Sequence, residues 1–293
     1  MQDINVETSD GQILKGLFYP SNKPKATLLI GSALGVPQQF YKHFAAFMAT
    51  QGFQCISFDY RGTGLSRFKG REGGIRLADW GQLDIEAAIQ KAKQLGTEQG
   101  LDPSELYYVG HSIGGQLLGL AKSSLDIKAS MFVGASAPYW ARWPYPRKLF
   151  MSVVCFGLLP LLSFSRQMFP AKAVGLSSMD IPAGCARDWG RWMRDPDYLF
   201  GKKFKLATQD YKQISSPILS LCFDDDDFAP QKNVDYLLAF FSGANIKNER
   251  VLCKSINLGS IDHMGFFKKK FEHTLWPKSV SHFSNSLTAQ EAI

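Results

Sequence analysis

The chain has 293 residues, of which 45% are hydrophobic and 20% are charged, and this is the composition of a globular protein with a large core. It excludes a disordered, collagen-like or coiled-coil architecture. Five cysteines without a C-x-x-C pair disfavour a disulfide scaffold and a zinc or redox site, and the net charge is +7.

The N-terminal half of the chain predicts strands that alternate with helices. Its first ten residues lack the basic and then apolar pattern of a signal peptide, so we expect a cytoplasmic protein. Apolar runs bounded by glycine predict buried strands, and amphipathic spacing predicts the helices between them. The predicted strands are 4–6, 14–19, 26–30, 53–58, 106–109 and 127–133, and the predicted helices are 39–50, 77–95 and 116–122.

Residues 138–208 interrupt this alternation. They contain four of the six tryptophans, 11 Lys and Arg but only 4 Asp and Glu, whereas the rest of the chain has 22 of each sign. We therefore predict a helical cap at 138–208 that carries the whole net charge, inserted in a core formed by 1–137 and 209–293. The longest uncharged stretch, 149–165, has 17 residues, which is shorter than the ~20 that a spanning helix requires.

The C-terminal part returns to the alternating pattern, with strands predicted at 214–223 and 249–258, a helix at 233–241, and a last helix after Gly265. Strands that alternate with helices predict an α/β fold with a mostly parallel, doubly wound sheet. Right-handed crossovers bring the carboxyl ends of such strands, and the functional residues there, to one edge of the sheet.

The sequence Gly110-His-Ser-Ile-Gly114 is a G-x-S-x-G motif placed between a predicted strand and a predicted helix. Ser112 on such a turn is exposed for nucleophilic attack, and the helix N-terminus offers N–H groups to a developing oxyanion. The glycines are required because side chains there would meet the neighbouring strand and helix. The other interpretation is a glycine-rich turn with a capping serine.

A serine nucleophile requires a base and an acid that orients the base. Of five histidines, His263 alone follows a predicted strand, whereas His111 is too close in the chain to reach Ser112 Oγ. The acid is expected among Asp224–Asp227, directly after another strand. These four carboxylates lack the spacing of a calcium loop. We favour the interpretation that one of the four aspartates is catalytic and three are solvated. The alternative is that all four are solvated residues that precede a helix.

The order Ser112, Asp, His263, together with Asp59-Tyr-Arg-Gly-Thr-Gly-Leu-Ser66, resembles the α/β-hydrolase superfamily over nearly the whole chain. The core is similar to the serine-aminopeptidase and monoglyceride-lipase-like branch. The Trp-rich insertion, with Asp-Phe-Ala-Pro and His-Met-Gly-Phe-Phe, resembles a set of predicted hydrolases. The resemblance implies that the acid is Asp226, four residues before Pro230, and that Asp59 and Arg61 are structural.

Two positions depart from this resemblance. Many relatives have His-Gly in the oxyanion loop, where this chain has Gly31-Ser-Ala-Leu-Gly35. The expected oxyanion donors are the N–H groups of Ile113 and Ala33, with Leu34 as the rival of Ala33. Asp262 stands before His263 where glycine is expected.

The cap is expected to cover the active site. Trp140, Trp189 and Trp192 are candidates to line an acyl pocket, and the positive charge, including Arg187, Arg191 and Arg194, is a candidate for binding anionic substrates or an anionic membrane surface. The alternative is that the aromatic residues only pack the cap and the cations are only solvated. We expect no nucleic-acid partner because no binding motif accompanies the basic residues.

Together these features predict a serine hydrolase that cleaves a carboxylic ester, thioester or amide through an acyl-enzyme, without a cofactor or metal. Hydrolysis of a carboxylic ester in a small-molecule acyl substrate is preferred to peptidase or thioesterase activity on grounds of the resemblance alone. Two alternatives stay open: a non-catalytic binding or membrane-associated protein with this fold, and an acyltransferase with the same triad. No feature of the sequence specifies the oligomeric state.

Overall fold

An eight-stranded sheet forms the centre of the molecule in the computed structural model, which describes residues 1–68, 72–257 and 259–288. Its strands, in chain order, are β1 Gln2–Glu7, β2 Ile13–Tyr19, β3 Ala26–Gly31, β4 Phe53–Phe58, β5 Leu106–His111, β6 Ala129–Val133, β9 Ile218–Phe223 and β10 Ile246–Val251. A separate two-stranded ribbon consists of β7 Met168–Phe169 and β8 Ile181–Pro182.

The order of strands across the sheet is β1-β2-β4-β3-β5-β6-β9-β10. The first two strands are an antiparallel hairpin, which joins β4 in antiparallel orientation, and all other pairs are parallel. The carboxyl ends of β3, β5, β6 and β9 therefore lie at one edge. The predicted α/β, mostly parallel doubly wound sheet is confirmed.

Helices cover both faces of this sheet. The main helices are α1 Lys42–Thr50, α2 Leu77–Asp79, α3 Glu86–Glu98, α4 Ile113–Leu117, α5 Arg147–Val153, α6 Leu159–Ser163, α7 Ala183–Met193, α8 Asp210–Gln213, α9 Gln231–Leu238 and α10 Trp276–Thr288. Alternation along β3 places Leu28 with α1 in one core and Leu29 with α3 in the other. Burial on two sides explains why the central strands are continuously apolar.

Several element boundaries differ from the sequence predictions. The helix predicted at 77–95 contains a π-helical segment, Trp80–Ile85, and it continues past Gly96 to Glu98. Gly96 is needed for close packing, because a Cβ there would lie 2.9 Å from Thr27 Oγ1 on β3. The strand predicted at 249–258 is β10, which ends at Val251 before a 3₁₀ turn, and residue 258 lies outside the described residues.

Between β6 and β9 the chain forms a mainly helical insertion. A continuous helix, Arg147–Ser163, comprises α5, a π-helical segment Val154–Leu158 and α6, and we call it the insertion helix. It packs closely on α7, where a Cβ at Gly190 would lie 3.2 Å from the Leu159 side chain. Among the described residues, none of the helices has the length and apolar character needed to cross a bilayer.

Candidate active site

Ser112 occupies a strained turn between β5 and α4. Its φ of 51° and ψ of −114° are unfavourable for a residue with a side chain. Neighbouring backbones pass so close that Cβ atoms at Gly110 and Gly114 would lie 2.5 Å from Gly115 N and 2.3 Å from Gly31 O. The two glycines therefore permit the turn that presents the serine at the carboxyl edge of the sheet.

The buried Asp226 forms a hydrogen-bonded pair with the partly buried His263. His263 Nδ1 lies 2.7 Å from Asp226 Oδ2, and Asp226 Oδ1 accepts from the N–H groups of Phe228 and Ala229. Burial opposes ionisation of this carboxyl, but His263 and the two amides outweigh it, so the pKa of Asp226 lies below its ordinary value. The carboxylate accepts a hydrogen bond from Nδ1–H of His263. In the neutral ring this leaves Nε2 without a hydrogen, so Nε2 is the basic nitrogen.

The other aspartates of the run have different partners. Asp224 Oδ1 accepts from the Cys253 N–H, and Asp225 accepts from Ser260 Oγ and from the N–H groups of Ile261 and Asp262. Asp225 thus anchors the loop that carries His263, which corrects the expectation of three merely solvated carboxylates. Ligand atoms of Asp224, Asp225 and Cys253 lie within 4.8 Å of one another, but both carboxylates already bind backbone amides.

His111 connects the backbone at His263 with the backbone at Ala33 through the Tyr41 hydroxyl. Its Nε2 lies 2.9 Å from the His263 carbonyl oxygen, which can only accept, so Nε2 carries the hydrogen. Its Nδ1 then accepts from Tyr41 Oη at 2.8 Å, and Tyr41 Oη accepts from the Ala33 N–H at 2.8 Å. Burial, with a smaller effect of His263, lowers the pKa of His111 to about 3 and keeps the ring neutral.

A cavity of about 230 Å³ opens beside Ser112 and His263. Its lining includes Ala33, Leu34 and Ile113, the three candidate oxyanion residues, and Trp189 from the insertion. Trp143 and Met151, which were not predicted, also line it. In the part of the chain that the structure describes, this lining contains no Lys, Arg, Asp or Glu, so the cavity suits an uncharged group.

Two of the tryptophans predicted for the pocket lie elsewhere. Trp192 is buried against Tyr198, with ring centroids 5.6 Å apart, and Trp140 packs on Phe156 at 5.5 Å. Neither lines the cavity, so the expectation for them is corrected. The spacing of aromatic residues along the sequence does not distinguish a helix side that faces a cavity from one that faces another helix.

Gly134 is a site residue that the sequence analysis missed. It follows β6 with a φ of +59°, and a Cβ there would lie 3.0 Å from Asp226 Oδ2 and 3.2 Å from His263 Nδ1. Tyr41, Asp225 and Gly134 carry no local motif, because each acts through contacts with residues far away in the chain. The local sequence indicates only that a glycine directly after a buried strand can adopt a positive φ.

Comparisons with known proteins agree with this architecture. The profile of the family described as serine aminopeptidase, S33, matches residues 22–182, more than half of the chain. Polyketide transferase ATR5 from Stachybotrys chlorohalonatus is 24% identical over 142 residues, which are 47% of this chain and 44% of that protein. The alignment thus spans less than half the length of this curated relative.

Solved structures share the fold across almost the whole chain. A soluble variant of monoglyceride lipase from Saccharomyces cerevisiae, in complex with a substrate analogue, has a TM-score of 0.68 at 16% identity and covers 97% of this chain and 94% of its own. The α/β hydrolase GrgF from Penicillium sp. sh18 has a TM-score of 0.63 at 13% identity, with 98% and 99% covered. At such identities the likeness shows the fold.

Proposed function

The chain belongs to the serine aminopeptidase S33 family and has the α/β-hydrolase fold, and from this premise we propose that it is a serine hydrolase that cleaves carboxylic esters. The observation that carries the proposal is that the strained Ser112 lines the same cavity as His263, whose other face binds the buried Asp226. The nucleophile then comes from the end of β5, the orienting acid from the end of β9, and the base from the loop after β10.

In the proposed mechanism Ser112 Oγ attacks the ester carbonyl while His263 Nε2 accepts its proton. Asp226 keeps the hydrogen on Nδ1 and stabilises the imidazolium that forms. The proton passes to the leaving alcohol, and water then hydrolyses the acyl-enzyme by the same steps in reverse. No cofactor or metal enters these steps.

We propose that the N–H groups of Ile113 and Leu34 bind the oxyanion. Both residues line the cavity, and Ile113 is the first residue of α4. The sequence favours Ala33 as the second donor, but the Ala33 N–H already donates to Tyr41 Oη at 2.8 Å. This occupation favours Leu34, the rival donor.

Residues 138–208 act, in this proposal, as a cap over the acyl group. Trp143, Met151 and Trp189 come from this insertion and line the cavity together with Ser112. Because the cavity lining is uncharged, we propose an apolar acyl chain rather than an anionic one. The positive charge of the insertion therefore has no role in holding the acyl group.

The nucleophile is tested with a fluorophosphonate probe. Wild type should be labelled on Ser112, and Ser112→Ala should be unlabelled and lose roughly 10⁵–10⁶-fold in kcat on an activated ester. Ser136 lines the same cavity and provides the matched control, because Ser136→Ala should keep both labelling and turnover. Labelling that persists in Ser112→Ala contradicts the proposal, and a wild type without labelling or turnover favours a non-catalytic protein.

Acyl transfer is the second candidate, favoured by the similarity to a polyketide transferase. The two reactions share the acyl-enzyme and differ in whether water or an alcohol attacks it. Product analysis with and without added alcohol acceptors separates them. We expect free acid as the main product, and an ester of the acceptor as main product would identify a transferase.

A further inference from the structure

The insertion helix, Arg147–Ser163, presents an apolar side to solvent. Phe156 is 56% exposed, Leu161 75% and Phe164, just beyond the helix, 86%. We call the following residues the outer apolar face: Leu149, Phe150, Val153, Phe156, Leu161 and Phe164. Leu149, Val153 and Phe156 follow the i, i+4, i+7 spacing of one side of a helix.

The opposite side of the same helix belongs to the interior. Met151, Val154, Cys155 and Leu159 are buried, and Met151 lines the cavity beside Ser112. The helix is therefore apolar on both sides although one of them faces water. A contiguous exposed apolar surface of this kind marks a place where the molecule contacts something other than water.

The charged residues in the chain segment around the insertion helix all have one sign. Residues 138–179 contain five Lys and Arg and no Asp or Glu. Arg147 and Lys148 begin the insertion helix and Arg166 follows it, and within the described residues none of the three forms a salt bridge. Cations at both ends of an apolar strip match a surface of anionic headgroups above hydrocarbon.

We propose that the outer apolar face docks in the plane of an anionic lipid surface, with Arg147, Lys148 and Arg166 at the phosphate level. The insertion helix is about 25 Å long, at 1.5 Å per residue, and one side of it is packed on the protein, so it lies on the bilayer rather than crossing it. Tyr145, 79% exposed beside its start, suits the interfacial region.

A second copy of the chain fits this face less well. A two-fold contact would bring two sets of the same cations together, and residues 138–179 supply no acidic partner for them. An anionic membrane provides both the apolar and the charged complement.

This location differs from the one expected around Trp189 and Trp192. Arg187 donates to the carbonyl oxygens of Ser163 and Gly73, and Arg194 donates to that of Cys155. The guanidinium groups of both arginines are therefore bound to backbone carbonyl oxygens, and that of Arg194 also lies 5.7 Å from the centre of the Phe156 ring. The proposed docking surface instead uses the cations at the two ends of the insertion helix.

Vesicle sedimentation tests the proposal with the full chain carrying Ser112→Ala, so that binding is measured without turnover and independently of the proposed hydrolase activity. We expect binding to phosphatidylcholine vesicles that contain phosphatidylserine, and weaker binding without phosphatidylserine or at high salt. Replacing Phe156, Leu161 and Phe164 by serine should reduce the binding at least about tenfold, because each loses buried apolar area at the interface.

The matched control replaces three exposed apolar residues outside the insertion, Ile13, Leu125 and Leu252, by serine. This control should bind vesicles like the parent, and in the active protein both triple variants should keep their kcat on a small soluble ester. Equal loss of binding in the two triple variants, equal binding to neutral vesicles, or no vesicle binding at all overturns the proposal. A dimer in solution that the outer-face variant abolishes would assign this face to a second copy instead.

Discussion

Asp225 and Asp226 are adjacent carboxylates that act on the same histidine by different routes. Asp226 binds the His263 ring, whereas Asp225 accepts the N–H groups of Ile261 and Asp262 and so holds the backbone of the loop. In the proposed mechanism, Asp226 sets the tautomer of the His263 ring and Asp225 sets its position. Both contributions are needed, because a displacement of about 1 Å at a reacting group can cost on the order of 10²-fold in rate.

We therefore expect three different outcomes from three Asp→Asn changes of equal size. Asp226→Asn should lower kcat about 10⁴-fold because the imidazole loses its tautomer. Asp225→Asn should lower kcat about 10- to 100-fold with little change in KM, because one of its acceptor oxygens becomes an NH₂ group. Asp224→Asn, whose carboxylate accepts from the Cys253 amide and not from the loop that carries His263, is the control and should lose less than about tenfold.

Steady-state kinetics on one activated ester, with folding checked by circular dichroism, measures all three. The assignment of Asp226 as the triad acid would be wrong if Asp225→Asn or Asp224→Asn caused the largest loss of kcat. An Asp225→Asn variant indistinguishable from Asp224→Asn would mean that the loop keeps its position without this anchor.

The Tyr41 hydroxyl connects the oxyanion loop to His111. Tyr41→Phe leaves the Ala33 N–H and His111 Nδ1 buried without a partner, so we expect a loss of about 2 kcal/mol in the free energy of unfolding and about tenfold in kcat. Tyr107→Phe also removes a hydrogen bond, to Glu105, but away from the cavity. It should cost stability alone, as urea unfolding and kinetics would show; equal kcat losses in both variants would disprove a special role for Tyr41.

At the scale of elements, the ends of strands determine the site. Gly134 turns the chain at the end of β6 with a positive φ and leaves the space that the Asp226–His263 pair occupies. Gly100 has a similar φ of +77°, but nothing lies within 4 Å of its Cβ position. Substituting each glycine by alanine therefore separates the effect of backbone strain, present at both positions, from the effect of steric crowding, present only at Gly134.

Gly134→Ala should lower kcat at least about tenfold and also destabilise the fold, because the methyl group meets the side chains of Asp226 and His263. Gly100→Ala should cost about 1–2 kcal/mol of stability from left-handed backbone strain and leave kcat unchanged. Thermal unfolding and ester turnover of the two variants test this. Full activity in Gly134→Ala would show that the pair tolerates a displacement.

Helices and strands whose apolar residues recur at regular spacing were predictable from the sequence. The contacts between these elements were not. The alternation of buried strands and amphipathic helices depends on each residue's own environment, so it predicted the sheet. The end of α3 did not follow the pattern, because Gly96 serves packing against Thr27 rather than termination. The turn at Ser112 was predictable because it is local, whereas the different contacts of Asp225 and Asp226 depend on a loop more than 30 residues away.

At the scale of the whole molecule, charged groups tie the antiparallel hairpin to the parallel sheet. The Arg61 guanidinium, after β4, binds Asp84 through Nε at 2.6 Å and Asp10, in the β1–β2 turn, through Nη1 at 2.8 Å. Asp59 accepts the N–H groups of Gln38 and Leu65 in the same region. These contacts agree with the structural roles that the resemblance implied for Asp59 and Arg61.

The protonation of His111 links the stability of the whole molecule to pH. Burial lowers its pKa from the ordinary 6.5 to about 3, because a charged ring would lose its water while it binds the His263 carbonyl and the Tyr41 hydroxyl. Between these two values the unfolded chain binds a proton that the folded chain does not. The stability contribution is therefore intact above pH 6.5 and is lost as the pH falls towards 3, at about 1.4 kcal/mol per pH unit.

From pH 7 to pH 5 this single group should cost the wild type about 2 kcal/mol in the free energy of unfolding. His111→Gln has no ionisable ring, so its own loss over the same interval should be smaller by about that amount, even if the variant is less stable at pH 7. Urea unfolding of both proteins at the two pH values measures the difference. His282, whose pKa is also lowered by burial, and Asp59, whose pKa is raised by it, are present in both proteins and cancel in the comparison. Parallel losses in the two proteins would mean that His111 takes up a proton in the folded state, and the bridge between Tyr41 and the His263 carbonyl would then have to carry a charged ring.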